Sequence, residues 1–143
     1  MGGTRDGIRK RQDWAHRLDG VIAGARSKHY ALGEWDCAVF VSDAIEAMSG
    51  ADLMGTDRGA YAAGPESYCG EPVLAFIARR LVAAGMVRVK PKFSRLGDIA
   101  AVETRHGLGL GVVLGAVVAV PVEPSGIEPV SGNKITKAWR IKE

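Results

Sequence analysis

The sequence changes character near Gly85, and this change constrains the fold more than any other feature. Before Gly85, apolar residues recur at helical spacing over several long segments. After it, the chain consists of short β-prone segments separated by Gly, Pro and Asn, namely MVRV, DIAAVET, LGVVLG, AVVAVPVE, GIEPVS and KAWRIK. Helices followed by strands predict an α+β domain, in which the N-terminal helices pack on one face of an antiparallel meander of five or six strands.

The helical part of the sequence divides at its turn residues. The apolar spacing predicts helices over residues 11–27, 36–48, 52–62 and 71–84. The helix over residues 36–48 has the clearest signals, because its apolar residues form one broad stripe, Asp36 suits the N-cap and Gly50 suits the C-terminal end. This segment is therefore predicted to face the core.

Length and charge favour one ordinary globular domain covering residues 1–143. The chain has a net charge of +3 and is about half apolar, as is typical of such domains. Its densest basic run is Arg9, Lys10 and Arg11, and we interpret residues 1–10 as a flexible, solvated lead-in. The alternative is contact with an anionic polymer, but no nucleic-acid-binding motif accompanies the run.

Hydropathy gives an expectation about location. No apolar segment approaches the ~18 residues that a membrane span requires. The first residues, MGGTRDGIRKRQD, lack the apolar stretch of a secretory signal. We therefore expect no membrane span and synthesis in a cytoplasm. If the protein acts outside the cell, a route other than its own signal peptide must export it.

The two cysteines differ in their surroundings. Cys37 follows Glu34, Trp35 and Asp36 at the start of a predicted helix, where the partial positive charge of unpaired N–H groups favours a thiolate. The same N–H groups are suited to hold an oxyanion. Cys69 lies far along the chain without CxxC or HxxxH spacing, so no metal site is predicted. A disulfide between the two cysteines remains an alternative, but without a signal peptide the default expectation is two free thiols.

Two short motifs carry a resemblance to a known family. The first is DCAVF, in which Asp36, Cys37, Ala38 and Phe40 match an Asp-Cys-Ser/Ala-Gly-Phe nucleophile motif and Val39 replaces its glycine. The second is the Gly97–Asp98 pair before a predicted strand. Together they resemble the NlpC-type cell-wall cysteine peptidases of the papain-like superfamily, over residues 12–141. The resemblance implies a nucleophile helix packed on an antiparallel sheet, no cofactor, and a peptidoglycan peptide as possible substrate.

Further residues resemble a group of small phage proteins of this superfamily that are encoded among tail genes. These residues are Trp14 in the first helix, Gly59 and Tyr61 in a Gly-x-Tyr segment, and the closing Ala138, Trp139 and Arg140. The resemblance implies a virion protein at the tail that faces the host envelope. Its partners are then other tail proteins, with no nucleic acid among them.

The sequence departs from the peptidase pattern where a base is expected. Aligning GLGVVLG to the family's histidine motif places Gly109 or Leu110 at the histidine position, and neither side chain accepts a proton. The next segment, AVVAVP, has no polar residue for the third catalytic position. His106, in the turn TRHGLG, is the candidate base, and His29 is the other histidine considered.

The site prediction therefore assigns Cys37 as nucleophile and His106 as base, with Trp35 and Asp36 contacting substrate. Asp36 has the alternative role of N-cap, and Trp35 that of a core-edge aromatic. Asp98 is expected to anchor a turn through backbone hydrogen bonds. Two functions follow: a peptidase or amidase that cuts peptidoglycan during phage entry, or an inactive tail-tip component with a degenerate cleft.

Overall fold

The computed structural model describes residues 7–31, 35–53, 71–105 and 107–143. In this part of the chain three helices precede six strands. The helices are α1 (Trp14–Ala25), α2 (Cys37–Ser49) and α3 (Glu71–Ala83). The strands are β1 (Val87–Val89), β2 (Ile99–Thr104), β3 (Gly107–Val113), β4 (Val117–Pro121), β5 (Ile127–Ser131) and β6 (Ile135–Arg140). The predicted α+β class is confirmed.

The helix boundaries follow the sequence prediction closely, with one shortened helix. Helix α1 begins at Trp14 and not at residue 11, because the Arg11 amide donates to the Met48 carbonyl at 2.7 Å and is held outside the helix. The predicted helix over residues 52–62 is largely outside the described residues, and Asp52 and Leu53 are not helical. Within the described ranges, no helix combines the length and hydropathy that a membrane crossing needs.

The six strands form one antiparallel sheet in the order β1-β6-β2-β3-β4-β5. Strands β2 to β5 are a meander, as predicted. Strand β6 departs from this prediction, because it returns across the sheet and inserts between β1 and β2. Arg140 at the end of β6 bonds to Asp98 just before β2, and this contact joins the two strands.

Helix α2 lies at the centre of the domain, between α1 and strand β3. It is buried along most of its length, which agrees with its broad apolar stripe. The core that it forms with the sheet includes Leu18, Ile22, Phe40, Ile45, Leu110, Val112 and Trp139. Burying such a set removes hundreds of square ångströms of apolar surface from water and supplies the main driving force for folding.

The sheet is apolar on its other face as well. A second cluster lies there, formed by Ala100, Val102, Val113, Val118, Val120, Ile135 and Ala138. Strands that are buried on both faces are expected to read as continuous apolar runs without polar alternation. This explains why IAAV, GVV and VVAVP contain no polar residue.

Asp98 anchors the turn before β2, as predicted, and also forms a buried ion pair. Its carboxylate is fully buried and accepts a hydrogen bond from the Arg95 amide at 2.9 Å. Arg140 donates to both carboxylate oxygens, with Nε to Oδ1 at 2.9 Å and Nη2 to Oδ2 at 2.8 Å. Arg140 also donates to the Phe93 carbonyl at 2.9 Å. This bidentate pair fixes three segments of the chain together.

The basic run near the N-terminus is more ordered than a flexible lead-in. Residues 1–6 lie outside the described part, but the amide of Ile8 donates to Ala84 at 2.9 Å and that of Lys10 donates to Lys142 at 2.7 Å. The Lys10 side chain is only 2% exposed, with Nζ at 4.1 Å from the centre of the Trp14 ring. Burial lowers the pKa of Lys10 from its ordinary 10.5, although Asp98 and Glu143 oppose that change.

Candidate functional site

The N-terminal end of α2 is built as the sequence predicted. Cys37 is the first helical residue, and Asp36 before it has extended backbone angles. The Asp36 Oδ1 accepts a hydrogen bond from the Val39 amide at 2.9 Å, which satisfies one of the unpaired donors of the first turn. At the other end Gly50 adopts a φ of 87°, a left-handed conformation that favours glycine. The Asp36 cap at the N-terminal end therefore fixes the position of Cys37.

A cavity of about 250 Å³ opens beside Cys37. We call it the Cys37 cleft. Its lining comes from the loop after α1, the start of α2, the facing ends of β2 and β3, and the segment from β4 into β5. The lining residues are Tyr30, Cys37, Thr104, Leu108, Gly109, Val120, Pro121, Val122, Glu123 and Glu128. Cys37, the residue predicted to be reactive, thus borders a cavity slightly smaller than the ~300–1,000 Å³ of typical small-molecule sites.

The cysteine does not match the expectation of two free thiols. Cys37 is 2% exposed and disulfide-bonded. The sequence contains one other cysteine, Cys69, which lies outside the described residues. A disulfide sulfur has no thiolate, so the nucleophile assigned from sequence is blocked in this state.

Strand β3, on which the sequence resemblance predicted a base, has no side chain that accepts a proton. Leu108 and Gly109 line the Cys37 cleft, while Leu110 is buried in the core. A Cβ added at Gly109 would lie 3.3 Å from Thr104 Cγ2 and 3.4 Å from Val120 Cγ1, both of which belong to cleft residues. Gly109 pairs with Val102 and therefore faces the second apolar cluster, which also contains Val120. The β3 residues on the α2 side are Leu108 and Leu110, and neither side chain accepts a proton.

Among the described residues, no histidine lines this cleft. His106 lies outside the described residues. His29 is exposed, and its backbone bridges to Ser125, while the next residue, Tyr30, contributes to the lining. His16 is exposed on α1. The described geometry therefore brings Cys37 together with Tyr30 and not with an imidazole.

Trp35 and Asp36, predicted to contact substrate, point elsewhere. Trp35 is buried in the main core, where its ring meets Phe40 edge to face with centroids 5.9 Å apart. It borders a shallow depression next to α1, away from the Cys37 cleft. The Asp36 carboxylate is buried in the cap. Their alternative roles, core aromatic and N-cap, are the ones that the geometry supports.

The comparisons with known proteins place the chain in a family. Residues 9–141 match the model of a domain of unknown function, DUF6950. The chain belongs to this family. No curated protein matches the sequence.

Polar cleft residues that the sequence did not single out come from β2, from β5 and from the segment between β4 and β5. Thr104 donates from Oγ1 to the Gly107 carbonyl at 2.7 Å. Glu128 accepts from Arg105 at 3.1 Å, and Glu123 is exposed at the opening. No motif marks these residues, because the chain turns and strand pairings that bring them to Cys37 are not local in sequence. Among the described residues, no group of three His, Cys, Asp or Glu is arranged to hold a metal ion.

Removing the cap is expected to destabilise the helix that carries Cys37. Asp36→Ala should lower the free energy of unfolding by about 1 kcal/mol, because the Val39 amide loses its acceptor. Asp36→Asn keeps an acceptor oxygen and should retain most of that stability. Asp13→Ala is the matched control, since Asp13 precedes α1 without a capping hydrogen bond from its side chain. Urea unfolding followed by circular dichroism measures all three, and equal losses for Asp36→Ala and Asp13→Ala would contradict the capping role.

Proposed function

We propose that this protein is a papain-like domain of NlpC type that serves in the tail of a phage or phage-like particle. In this proposal the Cys37 cleft binds a peptidoglycan stem peptide and does not cut it. One observation carries the proposal: the cleft lies at the N-terminal end of the buried helix α2, yet Cys37 is disulfide-bonded and β3, on which the resemblance predicts the base, has no side chain that accepts a proton.

Chemistry explains why binding is favoured over cutting. Amide hydrolysis by a cysteine needs a thiolate to attack and an acid to protonate the leaving amine. The described lining offers neither a free Cys37 thiol nor an imidazole. Acid–base assistance is typically worth ~10²–10⁴ in rate, so its loss leaves a poor enzyme. The cavity itself does not depend on either group.

The charge of the cleft indicates what kind of peptide segment suits it. The carboxylates that line it are Glu123 and Glu128, of which Glu128 is paired with Arg105, and no Lys or Arg lines it among the described residues. Apolar side chains such as Leu108 and Val120 form much of the remainder. Such a surface suits a segment that offers ammonium or N–H donors beside an aliphatic side chain, as stem peptides with amine-bearing residues do.

The disulfide also supports a place outside the reducing cytoplasm. Disulfides form and persist mainly in oxidising surroundings and are rare in proteins that stay among cytosolic reductants. A tail component reaches such surroundings once the particle leaves the cell. A disulfide at Cys37 fits that history better than it fits a resident cytosolic enzyme.

Titration with a soluble muropeptide, followed by calorimetry, tests the proposal. We expect saturable binding by the oxidised protein. Glu123→Arg, which reverses a charge at the cleft opening, should weaken the affinity by about tenfold, or about 1.4 kcal/mol. Asp19→Arg makes the same charge change on the exposed face of α1 and should leave the affinity unchanged. Absence of binding, or equal effects of the two variants, would exclude the cleft as the peptide site.

A second candidate is the peptidase itself, and the position of Cys37 favours it. A cysteine at the first residue of a helix, beside a cavity, is placed where a nucleophile is required. In this candidate a reductant first opens the disulfide, and His106 then acts as base. It predicts that iodoacetamide alkylates reduced Cys37 near neutral pH much faster than it alkylates glutathione. A rate similar to that of glutathione would argue against it.

A further inference from the structure

The exposed large apolar side chains of the described residues come from one stretch of the chain. They are 43% to 64% exposed, and all fall within residues 82–96: Val82, Val87, Phe93 and Leu96. This stretch runs from the end of α3 through β1 to the turn before β2. Single exposed apolar residues are common and need no partner, so these four become informative only where they coincide with a second feature of the same segment.

The same segment has a one-sided charge. From residue 72 to residue 97 the sequence contains six basic residues and no acidic one: Arg79, Arg80, Arg88, Lys90, Lys92 and Arg95. The whole chain has a net charge of only +3, so the rest of it is net acidic. Arg88, Lys90 and Lys92 are exposed around β1. The positive charge of the protein is therefore concentrated where its apolar residues are exposed.

Phe93 is exposed on a rigid backbone and not on a loose loop. It ends the 3₁₀ turn Pro91–Phe93, and its amide donates to Lys90 at 2.9 Å. Its carbonyl accepts from Arg140, the residue that is paired with buried Asp98. Holding an aromatic ring in water on a fixed backbone prepares it for contact at little further entropy cost.

The two edges of the sheet differ in their capacity to accept another strand. Strand β1 pairs with β6 on one side, and no described residue forms a strand on its other side. Strand β5, at the opposite edge, has Pro129 in its middle, and proline lacks the N–H that pairing requires. Strand β1 contains no proline. Its edge is therefore the one able to extend the sheet.

We propose that β1 docks an extended, acidic segment of another polypeptide. Its backbone pairs with the edge of β1 that no described strand occupies, its apolar side chains cover Val87 and Phe93, and its carboxylates meet Arg88, Lys90 and Lys92. Addition of a strand to a sheet edge is a common mode of peptide recognition. A membrane surface would leave the polar edge of β1 unsatisfied, and a polyanion alone would leave the apolar side chains exposed.

The test uses the full chain and a fluorescein-labelled peptide of alternating glutamate and valine, monitored by fluorescence anisotropy. We expect saturable binding that weakens with added salt. Lys90→Glu/Lys92→Glu should weaken it by at least about tenfold, and Phe93→Ser by a similar factor. A peptide with the same sequence and N-methylated backbone should not bind, because it cannot pair with β1.

Matched controls decide between this surface and the alternatives. Arg26→Glu/Lys28→Glu makes the same charge change at exposed residues after α1 and should leave the affinity unchanged. The proposal is overturned if the peptide does not bind, if this control weakens binding as much as Lys90→Glu/Lys92→Glu, or if Phe93→Ser has no effect. It is also overturned if poly-glutamate binds as well as the peptide, if phosphatidylglycerol vesicles alone bind, or if sedimentation shows that this surface joins two copies of the chain.

Discussion

Arg140→Ala is expected to lower the free energy of unfolding by about 3–5 kcal/mol. Asp98 is fully buried, and Arg140 supplies two of the hydrogen bonds that its carboxylate accepts. Without the guanidinium the carboxylate keeps the Arg95 amide as a donor but loses its neutralising charge. The variant also removes the donor to the Phe93 carbonyl, which links the end of β6 to the turn after β1.

Guanidinium chloride unfolding of three further variants tests this assignment. Arg140→Lys should still lose a large part of the stability, because an ammonium cannot bond both carboxylate oxygens in the same planar geometry. Arg95→Ala removes an exposed ion pair with Glu143 and should cost less than about 1 kcal/mol. The loss of stability in Asp98→Ala/Arg140→Ala should be smaller than the sum of the losses in the two single variants, because the double variant leaves no buried charge without its partner. A loss below about 1 kcal/mol for Arg140→Ala would contradict a stabilising pair.

Gly111→Ala is expected to lower the free energy of unfolding by about 3 kcal/mol. Position 111 lies on β3, where an added Cβ would overlap the Ala119 carbonyl of the neighbouring strand and approach Val118 Cγ1 to 2.8 Å. The Ala119 oxygen belongs to the backbone of β4, so relief requires a shift of the whole strand. Such shifts in a close-packed interior are costly.

Gly109→Ala is the matched control on the same strand. Its added Cβ would meet only the side-chain atoms Thr104 Cγ2 and Val120 Cγ1, at 3.3 Å and 3.4 Å. These methyl groups can move by a few tenths of an ångström, so the expected loss is below about 1 kcal/mol. Thermal and urea unfolding of both variants give the comparison. Equal losses of stability at the two positions would show that the close approach of the β4 backbone does not exclude a side chain at position 111.

The elements could be predicted from the sequence because their signals are local. The apolar stripe of α2, the Asp36 cap and the Gly50 end are each read within a few residues. The insertion of β6 between β1 and β2 could not be predicted in this way, because it depends on contacts across the fold, such as Arg140 with Asp98. The sequence predicted that Asp98 anchors a turn, but not that a distant arginine neutralises it.

The candidate site was predictable only in part, for the same reason. Local sequence placed Cys37 at the start of a helix, and the structure adds a cavity beside it. The expectation of free thiols was wrong, because the local sequence around Cys37 carries no information about which residues approach it in space. Glu123 and Glu128 carry no motif and reach the cleft through the pairing of β4 with β5. Lys10 was expected in solvent, but its side chain packs on Trp14.

The most direct test of a cleft that binds without cutting is a mass-spectrometric time course of muropeptides incubated with the protein after its disulfide has been reduced. We predict that the stem peptides stay intact, because no base stands on β3 to serve the freed Cys37 thiol. New cleavage products that appear with the reduced protein and disappear in Cys37→Ser would contradict this prediction and establish a peptidase.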